Sequence, residues 1–312
     1  MRAEGLSVGS TVREALAWGT ERLQGAGVPN PQYDTAVILG QIFGRPRLEL
    51  PLYYRSPLTR PQAADFEGLV RRRMSREPLQ YVLGHEGFMG LDFSVDPRGL
   101  IPRPETEGLA ERALAIVGAG HPQPRIADVG TGSGCLAIVL AKTVPGARVW
   151  AIDRSEDALA LARENAAHHV VADQIEFVAG DYLQPLVRRG VAVDLVVSNP
   201  PYIPSGEIPS LQEEVREFEP RSALDGGPDG LAAYRALAGQ APLVLTRPGW
   251  LALEIGHGQA EAVAALLAAA GFGTIENHSD LAGISRVITA RIGLESAPPS
   301  GTRRADNPAG RP

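Results

Sequence analysis

The sequence holds a single cysteine, Cys135, in 312 residues, so no internal disulfide can form and nothing ties the chain to an oxidising compartment. It lacks an uninterrupted apolar run near the ~20 residues that a membrane-spanning helix requires; the stretch from Ala262 to Ala270 is one helical segment closed by Glu261 and Gly271. The first residues, Met1-Arg-Ala-Glu-Gly, have no apolar core of the signal-peptide kind. These absences set the expectation of a cytoplasmic protein without membrane contact. Metal-ligand spacing is missing too. His168 and His169 are adjacent rather than a helical turn apart, and the other four of the 6 histidines are scattered, so no metal site is read. Cys135 has no histidine near it in sequence and reads as a small packed residue rather than a nucleophile.

A basic surface is also lacking where it would matter most. Residues 1–86 carry 11 arginines against 9 carboxylates, a net of +2, whereas residues 87–294 carry 16 basic against 25 acidic residues, a net of −9. Phosphate neutralisation dominates nucleic-acid affinity, so direct nucleic-acid binding is not expected. Arg71-Arg72-Arg73 with Arg76 is the one basic cluster; it reads as a solvated helix face, with a phosphate-bearing partner as the sharper alternative.

What is present divides by pattern. Residues 1–86 repeat apolar positions at helical spacing, closed by Gly27 and Pro29 and then by Gly44 and Pro46. They are read as a helical bundle with no catalytic constellation and a partner-docking role. Residues 87–104 are punctuated by Gly87, Gly90 and Gly99 around the alternating Leu91-Asp-Phe-Ser-Val95, a β-hairpin linker. Arg103 and Glu105 in the following Ile101-Pro-Arg-Pro-Glu-Thr-Glu107 are accounted for most plainly by a linker salt bridge. Residues 105–294 alternate short apolar runs with helical segments, which implies α/β architecture with a doubly wound, mainly parallel sheet. Residues 295–312 are rich in Pro, Gly, Ser and Arg and are expected to be disordered.

Two stretches carry chemistry. The first is Val129-Gly130-Thr131-Gly132-Ser133-Gly134, between a short strand and a helix. Glycines permit the tight turn and let a ligand approach amides at the helix start. Val149-Trp-Ala-Ile-Asp153 follows as a second strand ending in an acid able to hold both ribose hydroxyls. The glycine spacing departs from the Gly-x-Gly-x-x-Gly of dinucleotide folds. A third strand runs into Asp181-Tyr182, an edge and a face for an adenine. The plainer account of the same residues is a tight turn and a helix-capping acid.

The second stretch is Ser198-Asn199-Pro200-Pro201-Tyr202-Ile203, after the apolar Asp194-Leu-Val-Val197. Two prolines cannot donate to a ladder and stop the strand, placing Asn199 at the carboxyl edge of the sheet, where open α/β folds bind ligands. The Asn199 side-chain oxygen and the Pro200 carbonyl are both acceptors. Together they suit a planar NH2 group, with Tyr202 as a packing face. A proline-rich turn is the plainer account here as well.

With these pieces in one sheet order, the chain resembles the class I S-adenosylmethionine-dependent methyltransferases. More closely, it resembles the release-factor glutamine methyltransferases, the HemK/PrmC family. The resemblance rests also on Arg76-Glu-Pro-Leu-Gln-Tyr-Val-Leu-Gly84, Glu219-Pro-Arg-Ser-Ala-Leu-Asp-Gly-Gly227 and Asp280-Leu-Ala-Gly-Ile-Ser-Arg286. It implies a seven-stranded Rossmann-like sheet. It also implies methyl transfer from S-adenosyl-L-methionine, leaving S-adenosyl-L-homocysteine, to the glutamine amide of the Gly-Gly-Gln motif of class 1 peptide chain release factors. Gly130, Thr131, Gly132, Ser133, Gly134, Asp153, Tyr182 and Asn199 would hold the cofactor. Asn199, Pro200, Pro201 and Tyr202 would hold substrate, with Asn199, Pro200 and Tyr202 catalytic. Tyr182 replaces the Trp or Phe usual in the family. A monomer is expected. No strong general base is evident, so orientation and electrostatics would carry the chemistry. The alternatives are an adenine exocyclic-amine methyltransferase acting on DNA or RNA, a non-catalytic cofactor-binding adaptor, and a nicotinamide or flavin oxidoreductase.

Overall fold

The structure, a computed structural model, describes residues 5–7, 9–118 and 122–293; the tail expected over 295–312 lies outside the described residues. The chain opens with helices α1 (Val12–Gly25), α2 (Pro31–Phe43), α3 (Arg60–Met74) and α4 (Leu79–Leu83). Each start is specified locally. Thr11 and Glu14 form a reciprocal capping box on α1, and Thr59 and Gln62 form one on α3, satisfying amides that have no intrahelical acceptor. Gly44 ends α2 in the left-handed region at φ 67°, a conformation that costs glycine nothing. The buried stripes Val12, Ala15 and Leu23, Ile38 and Leu39, and Phe66 and Val70 meet in one core.

Strands β1 (His85–Phe88) and β2 (Leu91–Ser94) form the hairpin. Its turn puts both Met89 and Gly90 at positive φ, the backbone twist that two-residue hairpins favour. Beyond it come α5 (Pro104–Gly118), β3 (Arg125–Val129), α6 (Cys135–Thr143), β4 (Arg148–Asp153), α7 (Glu156–His168), β5 (Ile175–Ala179) and α8 (Gln184–Arg189). The rest is β6 (Val193–Ser198), α9 (Glu213–Phe218), α10 (Ala232–Gln240), β7 (Leu245–Glu254), α11 (Ala260–Ala269), β8 (Phe272–Ser279) and β9 (Ser285–Ile292). The strands lie in the order β5-β4-β3-β6-β7-β9-β8, with the first five parallel and β9 antiparallel to both neighbours.

Burial on both faces explains why the central strands lack polar alternation. Leu109, Ala113, Ile126, Ile138, Val149 and Val197 pack on one side, with Phe88 and Phe93 of the hairpin. Ala127, Ile152, Val196, Leu237, Leu251 and Val263 pack on the other. Helix α6 is buried from Cys135 to Ala141, as a helix apolar all round must be.

The basic cluster is not the solvated face its composition suggests. Arg71 and Arg72 stay exposed, but Arg73 is buried. Arg73 donates to Asp34 at 2.8 Å and to Glu214 at 2.8 Å. Arg76 donates to both Glu214 oxygens, at 2.8 and 2.6 Å. Glu214 belongs to α9, so the bundle is tied to the segment that follows the Asn-Pro-Pro-Tyr stretch. Nearby, Arg103 pairs with the buried Glu219 rather than with Glu105.

Burial alone would raise the Glu214 carboxyl, but the hydrogen bonds from Arg76 and Arg73 outweigh it and hold the group down at about 2. A depressed carboxylate contributes stability above its unfolded value, and that contribution is lost as pH falls from about 4.3 towards the folded value. Glu214→Ala strands a buried guanidinium and is expected to cost about 3 kcal/mol in urea unfolding at pH 7. Its deficit relative to the parent should shrink as pH falls towards 2. Arg71→Ala, whose pair with Glu67 is open to solvent, should change stability by under about 1 kcal/mol.

Candidate active site

The site forms where the sheet order turns, between β3 and β6. The carboxyl ends of β3, β4 and β6 open there onto a cavity of ≈ 430 Å³, within the ordinary size range of small-molecule sites. Gly130, Gly132, Asp153, Tyr182, Asn199, Pro200 and Pro201 all line it. Thr131, Ser133, Gly134 and Tyr202 are not part of that lining and act on the shape of the wall instead.

The loop after β3 turns sharply because Gly130, Gly132 and Gly134 all take positive φ, at 71°, 56° and 84°. A Cβ on Gly132 would meet nothing within 4 Å, so this glycine serves the backbone angle and leaves the loop open on the ligand side. Gly134 differs. A Cβ there would lie 3.0 Å from that of Ala162, so it permits the α6–α7 contact. Thr131 is buried and donates to Asp128 at 2.6 Å, and the same Asp128 oxygen accepts the Ala137 amide at 3.1 Å. Burial pushes this carboxyl up to about 7. It ties the loop to the first turn of α6. Ser133 is buried and gives its carbonyl to Asn165 at 2.9 Å.

Asp153 ends β4 with its carboxylate already aimed. One oxygen accepts the Gly132 amide at 3.0 Å and the other accepts the Ser155 amide at 2.9 Å. Each oxygen keeps a lone pair for a further donor such as a hydroxyl. Beyond β5, Tyr182 sits half-buried at φ 50°, a strained angle for a ring-bearing residue. The Gln240 side chain fixes the turn by accepting the Leu183 amide at 2.9 Å. Burial raises the Tyr182 phenol, keeping it neutral.

Strand β6 ends at Ser198, whose hydroxyl donates to the Val129 carbonyl at 2.6 Å. The last ladder pair is Ser198 with Leu253 of β7, so Asn199 and Glu254 are the next residues on adjoining strand ends. Asn199 Nδ2 donates to Thr106 Oγ1 at 3.0 Å, and Thr106 Oγ1 donates to Glu254 Oε2 at 2.7 Å. Among the described residues no donor reaches Asn199 Oδ1 or the Pro200 carbonyl. Both acceptors, on residues that line the cavity, are thus without intramolecular competition.

Tyr202 stands behind the cavity with its hydroxyl 3.5 Å from Glu254 Oε1. Burial, reinforced by that carboxylate, pushes the phenol up to about 12. Its carbonyl accepts Gln259 Nε2 at 3.0 Å. Glycines press on its backbone: a Cβ on Gly226 would lie 2.8 Å from the Tyr202 Cα. The segment returning from this residue forms the opposite wall, with Pro220, Arg221, Ser222 and Ala223.

Thr106 and Glu254 are hydrogen-bonded neighbours of Asn199 that motif reading did not single out, as neither lies within a recognised spacing of it. The arrangement offers a carboxylate for a diol, an aromatic wall for a base, and a two-acceptor end for an NH2 group. A nucleoside-bearing ligand fits that set of acceptors and ring. Among the described residues no His, Cys, Asp and Glu cluster suits a metal ion, and no helix is long and apolar enough to cross a membrane.

The sequence matches the PrmC N-terminal domain over residues 14–84 and the methyltransferase small domain over residues 113–214. It is 44% identical over 283 residues to the release factor glutamine methyltransferase of Geobacter sulfurreducens, covering 91% of this chain and 97% of that one. The protein of the same name from Moorella thermoacetica is 44% identical over 261 residues, covering 84% and 91%. The fold is similar to the hMettl16 catalytic domain solved with a 3'UTR hairpin. That likeness has a TM-score of 0.53 and 16% identity, over 76% of this chain and 83% of that one.

Replacing Gly226 by Ala forces a methyl group into the Tyr202 backbone and is expected to cost about 1–3 kcal/mol in thermal or urea unfolding. Gly206→Ala, where a Cβ meets nothing within 4 Å, should leave the midpoint unchanged.

Proposed function

The chain belongs to the release factor glutamine methyltransferase family, and on that premise we propose how its site performs the family's reaction. The enzyme methylates the side-chain amide nitrogen of the glutamine in the Gly-Gly-Gln motif of class 1 peptide chain release factors. The observation that carries this reading is the pair of uncontested acceptors, Asn199 Oδ1 and the Pro200 carbonyl, at the end of a nucleoside-sized cavity.

S-adenosyl-L-methionine would supply a methyl group made electrophilic by its sulfonium, and S-adenosyl-L-homocysteine would remain. Asp153 would take the ribose hydroxyls, with Gly130 and Gly132 giving the ligand room against the loop. Thr131, Ser133 and Gly134 would hold that loop in shape, and Tyr182 would pack against the adenine.

An amide nitrogen is a weak nucleophile because its lone pair is delocalised into the carbonyl. Asn199 Oδ1 and the Pro200 carbonyl would accept its two N–H groups. That fixes the plane of the amide and favours charge on nitrogen as a new bond forms. Pro200 and Pro201 keep these acceptors rigid. Orientation and fixed dipoles then supply the acceleration. Tyr202, neutral and anchored on Glu254, would give the amide a face to pack on.

The partner reading follows from the two-part chain. Residues 1–86 would dock the release factor, residues 87–104 link, and residues 105–294 carry the transfer. The protein is read as a cytoplasmic monomer without direct nucleic-acid contact, which the excess of carboxylates over 87–294 supports.

Mass spectrometry of a release factor incubated with the enzyme and S-adenosylmethionine should show one added methyl on the Gly-Gly-Gln peptide. Asn199→Ala should lower turnover by about 100-fold while equilibrium dialysis still shows cofactor retention. Asp153→Ala should instead weaken cofactor affinity by more than about tenfold. Label arriving on nucleic acid offered in parallel, with none on the glutamine, would replace this reading by the adenine-amine one.

A further inference from the structure

An asparagine amide has a donor end and an acceptor end of nearly the same shape, and only the acceptor end suits an incoming NH2 group. Rotation of Asn199 by half a turn would present its own NH2 to the substrate NH2 and destroy the clamp. Something must therefore fix which end faces the cavity.

The structure supplies a directional chain. Glu254 as a carboxylate can only accept, so the Thr106 hydroxyl must donate its one proton to it, at 2.7 Å. The Thr106 oxygen then has only lone pairs left for Asn199, which must answer with its Nδ2, at 3.0 Å. Asn199 Oδ1 is thereby left as the free end of an amide that lines the cavity. All three members are sheltered: Thr106 is 3% and Glu254 2% exposed, and Asn199 is half-buried.

We propose that Thr106 and Glu254 are positioning residues that set the polarity of the Asn199 amide, with the charge on Glu254 acting as the switch. This rests on Asn199 being the acceptor for the substrate amide, as argued above. Neither residue touches substrate; both act through Asn199.

The groups facing Glu254 determine when the switch is set. Glu105 and Thr106 face it from α5, Tyr202 from the stretch after β6, and Arg286 from β9. Tyr234 of α10 donates to its backbone carbonyl at 3.0 Å, and the Cys135 thiol of α6 lies within its field. Burial dominates and, with Glu105, outweighs the lowering by Thr106, Arg286 and Tyr202, leaving the carboxyl at about 7. A proton added to Glu254 has Thr106 Oγ1 as its nearer acceptor, at 2.7 Å against 3.5 Å to the Tyr202 hydroxyl. Thr106 would then accept from Glu254 and donate towards Asn199, which rotates its oxygen inward and its NH2 into the cavity. Activity accordingly falls as pH drops through the Glu254 midpoint and is full above it.

The test uses the full chain with release factor and S-adenosylmethionine, together with NMR of the enzyme alone. Three readouts are expected to agree. The Glu254 side-chain carboxyl carbon should titrate near pH 7, with the Asn199 side-chain NH2 resonances moving at the same midpoint. The acid limb of kcat should share that midpoint, and Glu254→Gln, which still offers an acceptor, should flatten the limb. Thr106→Val should lower kcat about 10- to 100-fold with little change in cofactor affinity, and Thr106→Ser should recover most of the loss. The proposal is overturned if Thr106→Val turns over like the parent, if its kcat loss tracks a matching loss of cofactor affinity, or if the Asn199 resonances ignore the Glu254 titration. Parent enzyme that shows the coupled NMR titration but leaves the glutamine unmethylated would keep the switch and sink the reaction assigned above.

Discussion

The site depends on a strand that cannot continue. β6 lies between β3 and β7, buried on both faces, and would run on if its residues could donate. Pro200 and Pro201 have no N–H to give. The chain must leave the sheet there, with the Pro200 carbonyl left without a backbone donor. The left-handed glycines after β3 leave space beside that exit, and the acid at the end of β4 closes its far side. Remove the prolines and the same residues make an unremarkable sheet edge.

Much of this was legible from local pattern, because the elements concerned are contiguous in sequence. The glycine loop, Asp153 and the Asn-Pro-Pro-Tyr stretch each carry their geometry within a few residues, and apolar runs of strand length announce a doubly buried sheet. The same reading passed over Glu254, although it ends the apolar run of β7, and Thr106, although it lies within a quoted motif. Their meaning comes from sheet order and helix placement: the Thr106–Glu254 bond spans 148 positions. The arginine run failed for the same reason. Composition alone cannot show that Arg73 turns inward, since its partner Glu214 lies 141 positions on, between β6 and β7.

Two buried glutamates in one segment make the return from Tyr202 more than a connection. Glu214 is bound by Arg73 and Arg76 of the bundle, and Glu219 by Arg103 and the Ile101 amide of the linker. Just beyond Glu219 lie Pro220 to Ala223 and Asp225, which line the cavity. The wall is thus held by charges outside the sheet, whereas the clamp is held by the sheet itself. Desolvated ion pairs of this kind add little net stability compared with apolar packing but penalise any arrangement that separates them, so they favour one register of bundle against sheet.

The Arg73–Glu214 contact has a further consequence at the ribosome that makes this chain. Asp34 and Arg73 emerge early and can neutralise one another within the bundle. Glu214 is polymerised 141 positions after Arg73, a delay of roughly 7 to 30 s at ordinary elongation rates. Through that interval Arg76, which can still reach the Gly27 carbonyl, and one edge of Arg73 lack their carboxylate partner. Because Glu214 follows β6 in the chain, these ion pairs can close only after the strand bearing the clamp has been made, which ties completion of the first part of the molecule to synthesis of its reactive part.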